Sequence, residues 1–516
     1  MEIAINNKCQ LISSLKRPSF KGLLLVFLIL FSEICGLPKD IYAATINAGS
    51  TSYADVSAAI IVASGGDTVI VPAGQETWDR TLTMTRGLTL KGAGIDSTTI
   101  TNSGNMIIIE YVPDSRAISN NEKFEVEGFT FDHGNASGNG ADFIRVNSSS
   151  CTQKLTNMII ANNKFRNQRS SYGAIKLVGA ITGLAYSNQF VDVMTLFSNY
   201  GCDNVSWNTF GNSRAYGTGD PFYFEDNLIS FTSSYPSGDA GIMYLAGQGA
   251  LGGVVRYNTW DKTNTNGGGQ WDYHGSQYNP DAQQWSGMVC EAYGNIFINS
   301  SSYEWLQQRG SWMLMFNNRV SGTNPLLHVF QYSCLEATNA PNSYYYIHNS
   351  NWEQGWDTRI QNSYYWNNWG ANGLLNAYVN TAEGYDYCHY ANASGNYATW
   401  GFQDYLITDG RDLFNYNSNC TATSCTTGTT GVGTGAAAPM GTCTAGAGYW
   451  KTSYTPASTP PATMADMKTY TQSGTFYQCT THNTWTAHYA PYTYPHPLRA
   501  QADVTPLAAP SGLAVN

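Results

Sequence analysis

Two apolar positions recur on either side of an asparagine through the middle of the chain. The asparagine returns at irregular spacings of 19 to 37 residues, at Asn163, Asn188, Asn208, Asn227, Asn258, Asn295 and Asn318. The position three residues before it is always apolar: Ile160, Ala185, Val205, Phe224, Val255, Ala292 and Met315. The position two residues after it is also apolar: Phe165, Phe190, Phe210, Ile229, Trp260, Phe297 and Val320. Two apolar columns around a turn residue predict two short strands whose same face points inward in every repeat.

The irregular spacing decides how such repeats stack. Helical repeats need a regular period, whereas stacked β-coils joined by loops do not, because a longer loop costs little free energy. An asparagine at the bend tolerates a left-handed backbone, and its side-chain amide can hydrogen-bond to the next coil. The pattern therefore predicts an all-β parallel β-helix, and the alternative is an antiparallel β-sandwich with scattered asparagine turns.

The segment before these repeats predicts a cap. Residues 55–63 form a short amphipathic helix in this reading, followed by strand-like segments at 66–74, 87–94 and 98–100. A helix can cover the first coil, which would otherwise expose an unpaired strand edge.

These N-terminal segments and the asparagine repeats resemble the right-handed parallel β-helix proteins of the pectate-lyase-like superfamily. The resemblance implies a right-handed parallel β-helix with an N-terminal capping helix over residues 44–400, and a C-terminal region with disulfides over 401–500. Residues 501–516 resemble a linker and the opening of a fibronectin type III module. The superfamily includes lyases, hydrolases, epimerases, adhesins and tailspikes, so the fold does not specify the function.

The N-terminus predicts export. Basic residues precede an apolar run at 22–31, and the small residues Ala43 and Ala44 follow it, which is typical of a secretory signal peptide spanning residues 1–43. The alternative is a membrane anchor, but the run is shorter than the roughly 20 apolar residues a span requires. We expect a secreted or cell-surface monomer with no membrane span in the mature chain.

The amino-acid composition limits the classes of molecule that the chain is expected to bind. Only 12% of the residues are charged and the formal net charge is −10, which argues against nucleic acid as a partner. The chain is rich in aromatic residues, with 35 tyrosines and 14 tryptophans, which favours a polysaccharide bound through hydrogen bonds and ring faces. Four cysteines cluster near the C-terminus, and in an oxidising compartment we expect pairs among them: Cys420, Cys425, Cys443 and Cys479.

Candidate functional residues gather on one outward strip. The residue three positions before each repeat asparagine faces inward in this prediction, so its neighbours in the strand face outward. Glu225 and Arg256 are then outward-facing residues on neighbouring coils about 4.8 Å apart, and Glu291 lies one coil further. Tyr223 and Tyr293 flank these charges. We predict that this strip forms a sugar-binding groove.

A long loop adds candidates beside the strip. The insertion between Asn258 and Asn295 contains Trp271, Asp272, Tyr273 and His274, and Arg309 follows on the next coil. A subset of secreted bacterial β-helix proteins is similar at these points. The matching segments are Glu225-Asp226-Asn227, Arg256-Tyr-Asn258-Thr259, Asp272-Tyr-His274-Gly275, Glu291-Ala-Tyr-Gly-Asn295 and Arg309-Gly310.

Two kinds of catalysis fit these residue types. A polysaccharide lyase needs a cation or metal to neutralise a uronate, together with a base and an acid. Arg256 or Arg309 would neutralise the uronate, His274 or Tyr273 would move protons, and Glu225, Asp226 or Asp272 would bind Ca²⁺.

A glycoside hydrolase is the alternative catalyst, and it would use two carboxylates, Glu225 and Glu291, with Asp272 as a third candidate. The aromatic residues Tyr223, Trp271, Tyr273 and Tyr293 would contact the sugar in either case.

An alternative hypothesis, from a different class of function, explains the same residues without catalysis. Glu225 and Arg256 can be a structural ion pair, and the chain can be a non-catalytic surface, adhesion or structural protein. Convergence of the charged residues on one open groove would favour an enzyme or a sugar-binding site, and burial or dispersal would favour the structural reading.

Overall fold

The computed structural model describes most of the chain from residue 43 onward. The described residues are 43–134, 142–148, 150–169, 173–201, 216–235, 241–246, 252–265, 271–273, 289–298, 304–308, 311–322, 326–329, 360–379, 389–391, 397–399, 413–453, 461 and 463–501. Two compact units divide at Ala43, and the second unit, Ala44–Asn516, contains every element described below.

Three long sheets form the body, and each coil of the chain adds one strand to each sheet. The first sheet consists of β1 (Thr45–Asn47), β2 (Thr68–Val71), β5 (Thr89–Gly92), β8 (Phe124–Glu127), β11 (Leu155–Ala161), β14 (Ile181–Tyr186), β17 (Phe222–Glu225), β20 (Gly253–Arg256), β23 (Val289–Tyr293), β26 (Ser311–Phe316), β29 (Ile360–Trp366) and β35 (Leu413–Asn415). The second sheet consists of β3 (Gly74–Trp78), β6 (Thr98–Asn102), β9 (Thr130–Asp132), β12 (Lys164–Gln168), β15 (Gln189–Val193), β18 (Leu228–Ser230), β21 (Thr259–Asp261), β24 (Ile296–Ile298), β27 (Arg319–Val320), β30 (Asn368–Gly370) and β31 (Gly373–Leu375). The third sheet consists of β4 (Leu82–Met84), β7 (Ile109–Tyr111), β10 (Ile144–Asn147), β13 (Ile175–Val178), β16 (Thr195–Tyr200), β19 (Ile242–Ala246), β22 (Trp271–Tyr273), β25 (Glu304–Gln308), β28 (Leu326–Val329) and β32 (Ala377–Val379).

Neighbouring strands within these sheets are parallel, with an antiparallel pair only between β30 and β31 among those described. The fold is the predicted right-handed parallel β-helix, in keeping with the strong right-handed preference of crossovers between parallel strands. The parallel β-helix that the resemblance implies is thereby confirmed.

The two predicted apolar columns form the interior. Phe224, Val255 and Met315 of the first column are buried in one continuous core, together with Phe165 and Trp260 of the second. Aromatic rings of the second column stack from coil to coil, with 5.0 Å between the ring centres of Phe165 and Phe190. Because the same pleat face points inward on every coil, one core runs along the helix axis.

The repeat asparagines form a buried ladder. The side-chain oxygen of each accepts a hydrogen bond from the backbone N–H of the ladder asparagine one coil earlier, as from Asn188 to Asn227 at 2.9 Å and from Asn227 to Asn258 at 2.8 Å. Each side-chain nitrogen also donates a hydrogen bond to the side-chain oxygen of the next ladder asparagine. The distance from Asn227 Nδ2 to Asn258 Oδ1 is 2.9 Å. The ladder continues beyond the sequence repeats to Asn368.

Two details of the sequence interpretation are wrong. The left-handed conformation falls on the residue before the ladder asparagine, as at Asp226 (φ 56°) and Tyr257 (φ 60°), because that residue makes the bend and the asparagine opens the next strand. Asn208 is not a coil of the ladder either. Asn188 bonds directly to Asn227, and β14 pairs directly with β17, so no ladder position lies between them, and Asn208 itself is outside the described residues.

The predicted cap is present at the N-terminal end. Helix α1 (Tyr53–Val62) begins at Ser52, whose side chain accepts a hydrogen bond from the Asp55 N–H. Val56 and Ala59 are buried against the first coil. The helix therefore covers the end of the core, as the sequence indicated.

A second layer, which we call the C-terminal layer, follows the last coils. It contains β36 (Ser424–Cys425), β37 (Val432–Gly435), β38 (Thr442–Cys443), β39 (Gly448–Lys451), β40 (Thr475–Thr481) and β41 (Thr484–Tyr489). The remaining elements are β33 (His389–Ala391), β34 (Tyr397–Thr399), α2 (Ser115–Ser119), α3 (Met464–Gln472) and a 3₁₀ turn at Pro497–Gln501.

Disulfides form within the expected cysteine cluster, between Cys420 and Cys425 and between Cys443 and Cys479. Cys290 is a free, buried thiol. In the described part of the chain, the helices fall short of the length and apolar character that crossing a bilayer requires.

Candidate functional site

The predicted outward strip exists, with the predicted register. Glu225 on β17 pairs in register with Arg256 on β20, and Arg256 with Tyr293 on β23. Arg256 Nε donates to Glu225 Oε2 at 2.6 Å. Neither side chain is exposed to solvent, so the strip does not form an open groove.

Arg256 is held by the C-terminal end of the chain. Its Nη1 donates to the Tyr492 carbonyl at 2.7 Å and to the Tyr293 hydroxyl at 3.1 Å. Its Nη2 donates to the Thr493 carbonyl at 2.9 Å. The guanidinium thus joins a strand of the β-helix to a segment more than 230 residues later in the sequence.

Further charges complete this closure. Arg499 Nε contacts the second oxygen of Glu225 at 2.6 Å, and another Arg499 nitrogen pairs with Asp226. Lys468 of α3 lies 2.6 Å from the other oxygen of Asp226, and the Tyr494 hydroxyl also donates to that carboxylate. We call this set of five residues, Glu225, Asp226, Arg256, Lys468 and Arg499, the closure network. Its two carboxylates each contact more than one of the three cations, and the added hydrogen bonds offset part of the cost of burying these charges.

Glu291 is buried one coil further along the same face. Its Oε1 accepts from the Gly217 N–H at 2.7 Å and its Oε2 from the Tyr489 hydroxyl at 2.8 Å. Burial raises the pKa of Glu291 to about 7, against the lowering effect of those hydrogen bonds and of the Arg256 charge. The carboxyl is therefore neutral in a large fraction of molecules near neutral pH.

The aromatic residues of the strip are also covered. Tyr223 and Tyr293 are fully buried in a second apolar cluster that includes Trp450, Phe476 and Tyr489 of the C-terminal layer. The rings are in contact with protein on both sides, so they have no free face for a sugar. The outer face of the first sheet is an internal interface.

The loop candidates lie elsewhere. Trp271 is only 1% exposed and packs edge-on against Trp260 in the core, with 5.4 Å between ring centres, so it is not placed to contact a sugar. The backbone of Asp272 is in register with Tyr244 and Gln307 on the third sheet, and Tyr273 with Gln308. These two residues are therefore not on the strip with Glu225. His274 and Arg309 lie outside the described residues.

The predicted calcium site does not fit its surroundings. Both oxygens of Asp226 are already engaged by cations, and the Arg499 and Lys468 charges hold the pKa of that carboxyl below its usual range against burial. A calcium ion would add positive charge where two cations already balance the carboxylate. Over the described ranges, no group of three or more histidine, cysteine or acidic residues is placed to hold a metal.

A cluster on the third sheet was missed by the sequence interpretation. Glu110, Arg145 and Lys176 are in register on β7, β10 and β13, and each is only partly buried. Arg145 pairs with the fully buried carboxylate of Asp142, with 2.5 Å between Nη2 and Oδ2, whereas its Nη1 is 3.9 Å from Glu110. The Lys176 ammonium lies over the Tyr200 ring, 5.1 Å from its centre. We call these five residues the third-sheet patch.

Burial perturbs two groups of this patch in opposite directions. Burial raises the pKa of Asp142 despite the neighbouring Arg145, and burial lowers the pKa of Lys176 despite the charge of Asp142. The Oδ1 of Asp142 is buried and accepts no hydrogen bond from the described protein. Perturbed groups next to an unsatisfied polar atom are typical of functional sites.

A signal for the patch was present in the sequence. The segments 109–111, 144–146 and 175–177 each place a charged residue between two apolar ones, and the structure aligns the three charges on one outward column. The asparagine repeats mark the bend between the first and second sheets. The third sheet has no equivalent marker, because its strands follow loops of different length.

Comparisons with known proteins give structural likenesses only. No family model matches the chain, and no curated protein matches it by sequence. A mutant of the PL6 family alginate lyase AlyGC is 11% identical, with a TM-score of 0.30, over 66% of this chain and 50% of that protein. The A-module of the mannuronan C-5 epimerase AlgE4 from Azotobacter vinelandii is 14% identical, with a TM-score of 0.34, over 63% of this chain and 88% of that module.

A third likeness is to the catalytic domain of a GH87 alpha-1,3-glucanase, which is 13% identical with a TM-score of 0.28, over 66% of this chain and 65% of that domain. The chain thus spans about half the length of AlyGC.

Proposed function

We propose that this chain is exported and recognises an acidic polysaccharide along the outer face of the third sheet, at the third-sheet patch. The observation that carries the proposal is the pair of cations in register on neighbouring strands, Arg145 and Lys176, both of which keep some exposure. The outer face of the first sheet, by contrast, is closed by the C-terminal layer.

The spacing of the patch suits a charged chain molecule. Neighbouring strands lie about 4.8 Å apart, so the two cations form a short row along the helix axis. Arg145 Nη1 is not held by Asp142 and can donate to a sugar carboxylate, and Lys176 supplies a second charge beside the Tyr200 ring. Because the net charge of the chain is −10, an acidic ligand would depend on direct contact with these two cations rather than on the overall field of the protein.

Binding measurements test the proposal directly. We expect the protein to bind a polyuronate and not a neutral glucan in isothermal titration calorimetry. Arg145→Gln and Lys176→Gln should each weaken binding about tenfold, because each removes one charge-assisted contact. Lys164→Gln is the matched control, because Lys164 lies on the second sheet, away from the patch, and forms an ion pair with Asp96. Equal affinity for the neutral glucan, or unchanged affinity in both patch variants, would refute the proposal.

A second candidate function is polysaccharide lyase activity at the same patch. It is supported by the lowered pKa of Lys176, which keeps some exposure, because a lysine shifted towards neutral pH can act as a base. Arg145 would neutralise the uronate. Ultraviolet absorbance of unsaturated uronate products tests this activity. We expect Lys176→Arg to retain binding and to lose product formation, because arginine keeps the charge but cannot act as a base at neutral pH.

The non-catalytic reading also has support. The closure network matches the structural ion-pair interpretation of Glu225 and Arg256, and burial keeps Glu225 and Glu291 from acting as the two carboxylates of a hydrolase. The catalytic roles of His274 and Arg309 stay predictions. If the protein shows neither binding nor product across a broad polysaccharide panel, a structural or adhesive role is favoured.

A further inference from the structure

The first residue of the compact body contacts a buried carboxylate. The backbone nitrogen of Ala44 lies 2.7 Å from Asp67 Oδ1, and the Ala44 carbonyl accepts a hydrogen bond from the Thr68 N–H at 2.8 Å. Residue 44 is therefore fixed at both its nitrogen and its carbonyl, immediately before β1 pairs with β2.

Asp67 is rigidly placed and lacks a cationic partner. The residue is 5% exposed. Its Oδ2 accepts from the Ser64 N–H at 2.7 Å, and its own carbonyl accepts from the Thr89 N–H at 3.0 Å. No lysine or arginine of the described ranges forms an ion pair with it. A buried carboxylate that contacts only neutral amides pays a desolvation cost that a nearby cation would reduce.

The sequence at this point predicts cleavage. Ala43 and Ala44 are small, exposed residues after the apolar run of the leader, and Ala44 is the first residue of the second compact unit. Cleavage between them would convert the Ala44 amide into an α-amino group at the position that faces Asp67.

We propose that the Ala43–Ala44 peptide bond is the processing site of this protein, and that the α-ammonium group released at Ala44 forms an ion pair with Asp67 that fastens the first coil. In the hydrolysis, which a leader peptidase of the exporting cell catalyses, water adds its oxygen to the Ala43 carbonyl carbon and the C–N bond breaks. Ala43 leaves as a carboxylate, and the amine at Ala44 takes up both protons of the water and becomes an ammonium.

The ion pair gives the processed protein a contact that the precursor lacks. A hydrogen bond from an ammonium to a carboxylate is roughly twice as strong as one from a neutral amide. The contact closes the end of the first sheet beside α1, where β1 is the edge strand. β1 is only 3 residues long, and such a short edge strand offers little backbone for pairing with other chains. Processing would thus stabilise the fold at the end where the chain begins its first coil.

The first test is the N-terminus of the exported protein. The full chain is expressed with its leader in a secreting host, and the released protein is analysed by N-terminal sequencing and intact mass. We expect Ala44 as the first residue. Any other first residue overturns the proposal, because only an α-amino group at residue 44 reaches Asp67.

The second test measures the charge of that group. The ordinary pKa of an α-amino group is about 8. The neighbouring carboxylate should raise the pKa of the Ala44 α-amino group by about one unit, which is a tenfold shift in its protonation equilibrium. NMR of the ¹³C-methylated terminus follows this titration. Asp67→Asn should restore the ordinary value. Asp79→Asn is the control, because Asp79 is exposed and pairs with Arg80. The same pKa in the native protein and in Asp67→Asn would overturn the proposal.

A third test does not depend on the folding of Asp67→Asn. One glycine placed before Ala44 in the processed chain moves the ammonium away from Asp67 and leaves the carboxylate intact. We expect the unfolding equilibrium constant to rise about tenfold, and an N-terminally extended Asp79→Asn protein to show the same rise. No change on extension would refute the ion pair.

Discussion

Replacing Glu291 by glutamine should remove a pH dependence from the stability of the fold. The folded-state pKa of Glu291 is raised from 4.5 to about 7 by burial, so folding favours the protonated carboxyl. Its contribution to stability is fully present below pH 4.5 and is lost as the pH rises through 7. At 1.36 kcal/mol per pKa unit, the loss is about 3 kcal/mol. Solvent screening does not reduce it, because the side chain is fully buried.

Glutamine imitates the protonated carboxyl at this position. Its oxygen can accept from the Gly217 N–H, and its amide nitrogen can donate to the Tyr489 hydroxyl. We expect the unfolding free energies of the native protein and Glu291→Gln to be similar at pH 4.5 and to separate by about 3 kcal/mol by pH 8, with the variant more stable. Urea titrations at several pH values measure this separation.

A second variant tests the cause. The hydrogen bond from Tyr489 lowers the pKa of Glu291, so Tyr489→Phe should extend the stability loss to higher pH. A constant difference between the native protein and Glu291→Gln from pH 4.5 to 8 would refute the reasoning, because it would mean that the carboxyl keeps one protonation state throughout.

Three further predictions concern the ladder, the C-terminal turn and a disulfide. Asn227→Ala leaves several buried groups without partners, including the Asn188 N–H and the Ala185 carbonyl, and should destabilise the fold by at least about 3 kcal/mol in urea titration. Burial lowers the pKa of His496 to about 3, so its stabilising contribution is present above pH 6.5 and is lost as the pH falls towards 3; His496→Gln should reduce acid unfolding followed by circular dichroism. Joint replacement of Cys443 and Cys479 by alanine opens a link over 36 residues and should cost about 4 kcal/mol by the same titration.

Each of these predictions has a control and a contrary outcome. Asn419→Ala changes an exposed asparagine, so an equal loss there would show that the ladder is not the cause. For His496, an unchanged acid transition in the glutamine variant would contradict the lowered pKa. For the disulfide, joint replacement of Cys420 and Cys425, which are only 5 residues apart, is the control and should cost less. A much smaller loss than expected in the Cys443 and Cys479 variant would show that the C-terminal layer stays closed without that link.

The closure network explains why charges on a β-helix strip need not form a binding site. Glu225 and Asp226 are each contacted by more than one cation, and these contacts join strands of the helix to α3 and to the C-terminal turn. Removing one partner would leave an uncompensated buried charge, which is strongly destabilising. The network therefore holds the C-terminal layer on the first sheet.

Much of the fold could be predicted because its signals are local. Ile160, Phe165 and their equivalents repeat around each asparagine, and a pleated strand converts that spacing directly into an inward column. The register of Glu225 with Arg256 followed from the same alignment. The exception was Asn208, whose segment has the local pattern although Asn188 bonds directly to Asn227, because a local pattern does not determine which coils stack.

The candidate site was less predictable for a physical reason. Glu225, Arg256 and Tyr223 have the same sequence pattern whether their face is open or covered. The residues that cover them, such as Tyr489 and Arg499, come more than 190 residues later and carry no periodic signal. Lys176 and Arg145 were overlooked because only the stacking of three separate coils brings their charges together.

The sequence by itself determined the coils, the asparagine ladder and the capping helix, because each depends on residues close together in the chain. The tertiary structure alone decided which outer face is open. That choice depends on where the C-terminal layer packs, and packing between distant segments is set by the burial of whole surfaces rather than by the order of neighbouring residues.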